Sequence, residues 1–199
     1  MSKIFSQSNN NVYKIIVTGT PGVGKTSVSL RIAHILNAKY INLANLVKSN
    51  KLFLGYDSKL NSYIIDEERT KQIIKELLEK NGRIVIDTHI LTVFEPKLID
   101  LVIVLRLNPK ILLNRLKERN YPLVKIKANI QAEVIGVCLV EALKLFGSNK
   151  VVELDVTSKR LEEVVQEVLD AIRHPHKYRP GKVDWSQIIY DDELIKYLI

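Results

Sequence analysis

The stretch GTPGVGKT at residues 19–26 constrains this 199-residue chain more than any other feature. It fits the phosphate-loop pattern GxxxxGK[ST], whose glycines let the backbone curl until several N–H groups face one anion. An apolar run at residues 12–18 enters the loop as a strand would, and a helical pattern leaves it. We therefore predict a site for a nucleoside triphosphate, in which Lys25 reaches the β- and γ-phosphates and the Thr26 hydroxyl ligates Mg²⁺.

The pattern of apolar residues alternates between strand-like and helix-like segments. Strand candidates are residues 12–18, 39–42, 83–88, 101–107 and 150–154, and helix candidates are 25–36, 67–80, 110–119, 122–146 and 159–172. The third and fourth strand candidates are almost continuously apolar, which is typical of strands buried on both faces of a parallel sheet. Asp66 and Ser158 stand where they could cap the helices that follow them. The alternation predicts an α/β fold, a doubly wound parallel sheet with helices on both faces.

Composition excludes several classes of protein. With 46% hydrophobic and 26% charged residues, the chain has the make-up of a soluble globular domain. Residues 1–11 are polar and lack the apolar segment of a signal peptide, and no apolar run is long enough to span a bilayer. The single Cys138 cannot form an internal disulfide and is expected to be a small core residue. We expect a cytoplasmic protein without a membrane partner.

The net charge of +8 and the C-terminal tail each leave two interpretations open. The charge fits either a lysine-rich solubilising surface or a polyanionic partner such as RNA, contacted through its phosphates. After a main domain at 12–172, residues 173–182 carry four cations and two prolines and are typical of a basic linker. Residues 184–199 predict a short amphipathic helix, which either docks on the body or binds another protein or the ribosome. Its expected anchors are Trp185, Ile188, Ile189, Ile195 and Leu198.

A second nucleotide-binding element is expected where a buried strand ends. Asp87 closes the apolar run that begins at residue 83, where it could hold Mg²⁺ through water and accept a hydrogen bond from Thr26. The alternative is a strand-end turn cap. His89 lies at the same predicted sheet edge, where open α/β sheets bind ligands. It is either structural or orients the attacking water or the acceptor phosphate.

Two arginines are candidates for stabilising the transferred phosphoryl group. Arg115 and Arg119 lie four residues apart on one predicted helix, just before Asn120-Tyr121-Pro122. A flexible lid that supplies arginine to a triphosphate would have this arrangement, and the alternative is a solvated basic helix face. A GTPase is disfavoured, because neither Asn-Lys pair of the chain continues into an N-K-x-D motif.

Several short motifs, taken in order, resemble those of the isoenzyme-six type of adenylate kinase, also called the coilin-interacting nuclear ATPase family. They are GTPGVGKT at 19–26, KYINLANL at 39–46, GYD at 55–57, IIDEER at 64–69, IVIDTH at 84–89, RLKERNY at 115–121 and KIKANIQAE at 125–133. The resemblance covers about residues 13 to 172. Ordinary adenylate kinases carry D-G-F-P-R where this chain has Asp87-Thr88-His89. The tail at 173–199 is absent from the short eukaryotic members and looks like that of archaeal ones.

The resemblance implies a five-stranded parallel core, a monophosphate-binding insertion at about 43–66 and a short lid at about 119–129. It implies the reaction ATP + AMP ⇌ 2 ADP with Mg²⁺, together with an ATPase activity. It also implies a role in late maturation of the small ribosomal subunit and its rRNA 3′ end, through the platform ribosomal protein uS-eleven. Matching positions imply phosphate contacts by Gly22, Gly24, Lys25, Thr26 and Ser27, a lid arginine at Arg119, a residue near the adenine at Lys159, and a magnesium-side pair at Asp87 and His89.

Two other functions stay open at this point. One is a non-kinase assembly ATPase whose main role is the release of a ribosomal protein. The other, which rests on fold analogy alone, is a kinase for shikimate, gluconate or a nucleoside. Base preference at the monophosphate site and the role of the tail are not decided by the sequence.

Overall fold

Seven β-strands and eight α-helices make up the described part of the chain, which is residues 13–58 and 62–198 of the computed structural model. The strands β1 to β7 are Tyr13–Thr18, Lys39–Asn42, Phe53–Asp57, Ser62–Ile65, Arg83–Asp87, Leu101–Arg106 and Val151–Asp155. The helices α1 to α8 are Lys25–Ile35, Leu43–Ser49, Glu67–Lys80, Pro109–Glu118, Leu123–Val134, Val137–Phe146, Leu161–Arg173 and Ile195–Leu198. Short 3-10 turns lie at Pro96–Leu98, Pro175–Tyr178 and Ser186–Tyr190.

Five of the strands form one parallel sheet in the order β2-β5-β1-β6-β7. The strand that enters the phosphate loop, β1, is therefore central. Val17 on β1 and Asn42 on β2 both lie opposite Asp87 on β5, so the carboxyl ends of these strands meet at one edge. This confirms the predicted parallel fold and places the loop where such sheets bind ligands.

Both faces of the sheet are covered by helices, as predicted. Side chains alternate along each strand, so that Ile15 and Val17 of β1 point into one cluster and Ile16 into the other. The first cluster is closed by α1, α4, α5, α7 and α8, and the second by α2, α3 and α6. Burial on both faces explains the nearly continuous apolar runs of the central strands.

The segment between β2 and α3 leaves the main sheet and forms a separate helix and hairpin. It holds α2 and the antiparallel hairpin β3-β4, and it spans the residues at which the monophosphate-binding insertion is expected, 43–66. Residues 59–61 of this insertion lie outside the described residues. The rings of Phe53 and Tyr56 both pack on Tyr63. Their centroids lie 4.4 and 5.3 Å, respectively, from the centroid of the Tyr63 ring. Asp66 caps α3 by accepting a hydrogen bond from the N–H of Arg69 at 3.1 Å, as its position predicts.

Two predicted helix boundaries were wrong. The single helix expected at 122–146 is two helices, α5 and α6, and the chain turns between them at Gly136, whose φ is +69°. Ser158 does not cap α7, because that helix begins only at Leu161. The carboxylate of Glu163 instead accepts the N–H of Arg160 at 2.7 Å, which satisfies a donor at the helix start.

The C-terminal tail docks on the body. Leu194 is fully buried in the first core cluster, Tyr197 is buried beside it, and the Gln131 side chain of α5 donates to the Leu198 carbonyl at 3.3 Å. Asp191 pairs with Lys110 of α4. These contacts favour the docked interpretation of the tail.

The anchors of the tail differ from those predicted. Ile195 is 42% exposed, whereas Trp185, Ile188 and Leu198 are partly buried. The expected continuous helix is a 3-10 turn followed by the single turn of α8. The side chain of Ile189 and all of residue 199 lie outside the description, as do residues 1–12. Within residues 13–58 and 62–198, no helix combines the length and apolar character needed to cross a membrane.

Candidate active site

The phosphate loop is held in a conformation that only glycine tolerates at two positions. Gly19 has a φ of +140°, and a Cβ there would lie 2.4 Å from the carbonyl oxygen of Leu105 on β6. Gly22 has a φ of +104°, and its Cβ would lie 2.7 Å from a methyl carbon of Leu112 on α4. The loop is therefore wedged between β6 and α4, with a backbone that side chains would distort.

Helix α1 offers its N-terminus to the loop. It starts at Lys25 after Gly24, whose φ is +112° and which has no side chain to cap the helix. The first N–H groups of α1 are therefore left for another acceptor, and the helix dipole favours an anion there. Thr26 and Ser27, both predicted to contact phosphate, lie in this exposed first turn.

The Lys25 side chain lies inside the curl of the loop. Its ammonium donates to the carbonyl oxygens of Gly19 at 2.7 Å and Thr20 at 3.2 Å. Burial lowers the pKa of Lys25, and the negative charge of Asp87 partly opposes that shift. The predicted phosphate-binding cation is thus in place, satisfied by the backbone of its own loop.

Asp87 is the acidic centre of the site. It is buried, and its Oδ2 accepts hydrogen bonds from the Thr26 hydroxyl at 2.5 Å, the Asn42 amide at 2.8 Å and the Tyr40 hydroxyl at 3.3 Å. Burial, together with the neighbouring Asp87, raises the pKa of Tyr40. The hydrogen bond expected between Thr26 and Asp87 is present, whereas the two donors from β2 were not predicted.

The donor set of this corner suits Mg²⁺. A hydroxyl and a carboxylate are hard oxygen ligands, which Mg²⁺ prefers together with water and substrate phosphates. In the described part of the chain, no cluster of three or more His, Cys, Asp and Glu side chains could form a dedicated metal cage. Thr26 and Asp87 are therefore the residues that would hold the ion, with phosphate and water as the remaining ligands.

A cavity of about 650 Å³ opens from the phosphate loop towards the hairpin. Its walls come from the loop, α2, β4, the end of β5, α5 and α6. Residues that line it include Lys25, Thr26, Asn42, Val47, Tyr63, Asp87, His89, Arg119, Lys125, Cys138 and Glu141. The cavity extends well beyond the phosphate loop, so that a second substrate could lie beside a bound triphosphate.

His89 stands in the wall of this cavity, beside Asp87. The residue as a whole is exposed, and its ring is partly enclosed by the residues that line the cavity. This partial burial and the positive charges of Lys25 and Lys125 lower the pKa of His89 from 6.5 to about 4. The imidazole is consequently neutral near pH 7 and presents one donor and one acceptor nitrogen.

The two candidate arginines occupy different places. Arg119, at the end of α4, lines the cavity at the base of the predicted lid. Arg115 instead donates to the carbonyl oxygens of Gly22 and Val23, both at 3.3 Å. Arg115 therefore contacts the backbone of the loop, whereas Arg119 and Lys125 line the cavity. The expected lid at 119–129 consists of a short loop and the first turns of α5.

Lys159 lies apart from this group. Its ammonium pairs with both carboxylate oxygens of Glu167 at 2.7 Å and lines a separate cavity of about 380 Å³ beside Trp185. The structure thus brings Lys25, Thr26, Asp87, His89 and Arg119 together, with Arg115 behind the loop, and leaves Lys159 outside the main cavity.

Sequence reasoning missed several residues of the site. Tyr40 and Asn42 lie at the end of β2, and their position at a strand's carboxyl end is the signal that could have indicated them. Lys125 and Tyr63 line the cavity from the predicted lid and from the hairpin. Lys125 opens the KIKANIQAE motif at 125–133, whereas no motif marks Tyr63.

Comparisons with known proteins agree with this geometry. A family model described as an AAA domain matches residues 15–136. A Methanocaldococcus jannaschii protein is 40% identical over 178 residues, which is 89% of this chain and 96% of that protein. A Thermococcus kodakarensis protein is 41% identical over 185 residues, 92% of this chain and 98% of that protein. Both are named "Putative adenylate kinase".

Solved structures of P-loop kinases share the fold. Shikimate kinase from Bacteroides thetaiotaomicron superposes with a TM-score of 0.57 at 19% identity, over 81% of this chain and 98% of that one. A gluconokinase from Sinorhizobium meliloti gives a TM-score of 0.52 at 19% identity, over 85% of this chain and 96% of that one. At these identities the likeness shows a P-loop α/β fold.

Proposed function

This chain belongs to the family of AAA-domain proteins whose archaeal relatives are named "Putative adenylate kinase", and from that premise we propose that it is a nucleoside monophosphate kinase. The proposed reaction is ATP + AMP ⇌ 2 ADP, dependent on Mg²⁺ and accompanied by ATP hydrolysis, in the cytoplasm. The observation that carries the proposal is the single cavity of about 650 Å³ that joins the phosphate loop to α2 and the hairpin. A donor and an acceptor nucleotide would share it.

The phosphate loop and its neighbours have proposed roles in binding the triphosphate and its metal ion. Backbone N–H groups at Gly22, Gly24 and the start of α1 would hold the β- and γ-phosphates, with Lys25 as their counterion. Bound Mg²⁺ would neutralise part of the triphosphate charge, and Thr26 and Asp87 would hold the ion.

Other side chains would act on the moving group and the acceptor. Arg119 and Lys125 would stabilise charge on the transferred group as the lid closes, and Arg115 would support the loop. Neutral His89 would orient the acceptor phosphate or a water. Ser27 would add a phosphate contact, and Lys159 would approach the adenine after leaving Glu167.

A coupled assay of ADP formation tests the kinase. Wild-type protein is supplied with Mg-ATP and AMP, CMP, GMP, UMP, shikimate or gluconate in turn, and ADP formation is compared with that from ATP alone. We expect a monophosphate to accelerate it. Lys25→Ala should reduce the rate at least about a hundredfold, because it removes the cation of the phosphate loop. Lys80→Ala, on the exposed face of α3, is the matched control.

A rate that no monophosphate raises would sink the kinase proposal. Acceleration by shikimate or gluconate would instead indicate a small-molecule kinase for that compound.

One observation favours a second candidate, an assembly ATPase. The described residues that line the hairpin side of the cavity are Leu43, Ala44, Val47, Ser62, Tyr63 and Ile65, and none of them is cationic. An acceptor phosphate would therefore rely on Arg119 and Lys125 or on cations that approach when the site closes. Water is an acceptor that needs no such cation. In this alternative, hydrolysis would drive release of a small-subunit ribosomal protein of the uS-eleven type, and that protein should change the ATPase rate severalfold.

The ribosomal role is supported by the resemblance to the isoenzyme-six type and by the basic segment at 173–182. Lys177 and Arg179 are exposed there, on the face of the sheet covered by α7. If they meet rRNA phosphates, Lys177→Gln with Arg179→Gln should reduce the salt slope of RNA binding by about two. Lys80→Gln with Lys97→Gln, on the opposite face, is the control of equal charge. An equal effect of both pairs would count against a specific RNA surface.

A further inference from the structure

A buried ionic cluster links the main domain to the tail. Arg106, at the end of β6, donates from Nε to Glu133 of α5 and from a terminal nitrogen to Glu153 of β7, both at 2.9 Å. All three side chains are at most 4% exposed. Because two carboxylates share one guanidinium, the cluster is costly unless other donors satisfy the remaining oxygens.

The tail supplies some of those donors. Three successive backbone N–H groups, at Gly181, Lys182 and Val183, converge on Oε2 of Glu153 at 2.8, 3.0 and 3.4 Å. Gly181 has a φ of +98°, which gives the concave backbone that binds an anion. The backbone of the tail therefore satisfies the second carboxylate oxygen of Glu153.

Glu133 connects the same cluster to the phosphate loop through hydrogen bonds. Its Oε1 accepts from Arg106, from the N–H of Leu107 at 3.1 Å and from the indole N–H of Trp185 at 3.3 Å. Its Oε2 accepts from the Thr20 hydroxyl at 2.6 Å. Thr20 belongs to the phosphate loop, and its carbonyl accepts from Lys25 at 3.2 Å. One carboxylate thus joins a tail side chain to the loop that would bind nucleotide.

We propose that Glu133 is a positioning residue for the phosphate loop, and that residues 181–185 of the tail hold it in place, so that the tail contributes to nucleotide affinity without touching the nucleotide. This inference rests on the proposed function, since it requires a nucleotide in the loop. The short bond between Thr20 and a charged oxygen is of the strong, charge-assisted kind. The other oxygen of the same carboxylate, Oε1, is fixed by Arg106 and Trp185. A change at the tail would therefore reach Thr20 through the Glu133 carboxylate.

Binding of Mg-ADP, measured by calorimetry, tests the link. Thr20→Val removes the hydroxyl at nearly constant volume and should weaken binding by about tenfold, the low end expected for a lost hydrogen bond to a charged group. Thr20→Ser should restore affinity. Trp185→Phe should weaken binding by about threefold, because its bond is longer.

The double variant and a control complete the calorimetric experiment. Thr20→Val combined with Trp185→Phe should bind no worse than Thr20→Val alone, because both act through Glu133. Glu193→Gln removes a different tail contact, the 3.5 Å pair with Lys117, and should bind as the wild type does. Unaltered binding by Trp185→Phe, or effects that multiply in the double variant, would overturn the inference. A wild type that binds no Mg-ADP would overturn the proposed function as well.

Fluorescence provides a second readout, because Trp185 is the only tryptophan of the chain. Saturating Mg-ADP should change Trp185 emission in the wild type, and the change should fall by at least about half in Thr20→Val. Direct quenching by the base would survive that substitution. An equal emission change in both proteins at saturation would therefore contradict transmission through Glu133.

Discussion

At the scale of single residues, the site keeps its charges satisfied before any ligand arrives. The Lys25 ammonium bonds to two carbonyl oxygens of its own loop, and the Asp87 carboxylate accepts from three side chains. A buried charge without such partners would be strongly destabilising. The polar groups of the site are therefore stable in the absence of phosphate and metal.

The Thr26 hydroxyl is predicted to be essential for Mg²⁺-dependent turnover. Thr26→Val keeps the shape of the side chain but loses the oxygen that lies 2.5 Å from Asp87. We expect ADP formation to fall by about a hundredfold or more, a loss typical of removing one transition-state contact. Thr26→Ser keeps the hydroxyl and should stay within a few-fold of wild type in the same assay. Similar rates for the two variants would contradict the assigned role.

His89 should make stability depend on pH in a defined window. Its pKa in the folded chain is about 4, below the ordinary value of 6.5. Between these values unfolding takes up a proton, so the stability present above pH 6.5 is lost as the pH falls towards 4. Urea unfolding at pH 7 and pH 5 should show a larger loss for wild type than for His89→Gln, whose side chain does not titrate. An NMR titration with a midpoint near 6.5 would refute the lowered pKa.

Much of the candidate site could be predicted from the sequence, because its signals are local. The phosphate loop is a contiguous motif, and Asp87 is the last residue of a run whose apolar character marks it as a buried strand. Asn42 could not be assigned with the same ease, because its role depends on the pairing of β2 with β5, 45 residues away. Glu133 depends on still longer-range contacts, with Thr20 113 residues away. Sequence patterns report neighbours along the chain, whereas these contacts are created by the topology of the sheet.

At the scale of elements, the break between α5 and α6 shows why one predicted helix became two. Apolar residues continue at helical spacing through this region, so the pattern alone favours a continuous helix. The structure turns at Gly136, which packs against the Arg106 guanidinium. The turn lets α5 cover one face of the sheet and α6 the other. A single glycine within a helical pattern is tolerated often enough that it does not predict such a break.

Substitution of Gly136 tests how far that turn depends on its close packing. Gly136→Ala places a Cβ 3.3 Å from Arg106 at a φ of +69° and should lower the free energy of unfolding by about 1–2 kcal/mol or more. Gly82→Ala is the control, because its φ is not positive and nothing lies within 4 Å of the added carbon. It should change the free energy of unfolding by no more than about 0.5 kcal/mol. Urea unfolding measures both proteins, and an equally small loss at Gly136 would disprove strain and crowding at the turn.

At the scale of the whole molecule, the tail is part of the domain's core. Leu194 and Tyr197 extend the cluster that contains β1, α1 and α7, and the main chain at 181–183 satisfies a buried carboxylate. The sequence predicted a helix with apolar anchors, but it placed one of them at Ile195. A register error of one residue in a single helical turn is enough to exchange a buried position for an exposed one. The tail and the body should accordingly unfold together.

Paired alanine substitutions in the tail test this shared core. Leu194→Ala should lower the free energy of unfolding by about 2–4 kcal/mol, as for other fully buried leucines. Ile195→Ala, at a side chain that is 42% exposed, should change it by no more than about 0.5 kcal/mol. Both proteins should keep one cooperative transition by circular dichroism. If Leu194→Ala were as mild as its neighbour, the tail would not belong to the core.

The resting position of Lys25 has a consequence for how tightly any phosphate can bind. A ligand that recruits this ammonium must first displace the carbonyl oxygens of Gly19 and Thr20. Its measured affinity is then the difference between two sets of contacts, and not the full strength of the new ones. Inorganic phosphate and short anions would gain little from this exchange. The proposed triphosphate would also engage the backbone amides and a divalent cation, and these added contacts would drive the exchange.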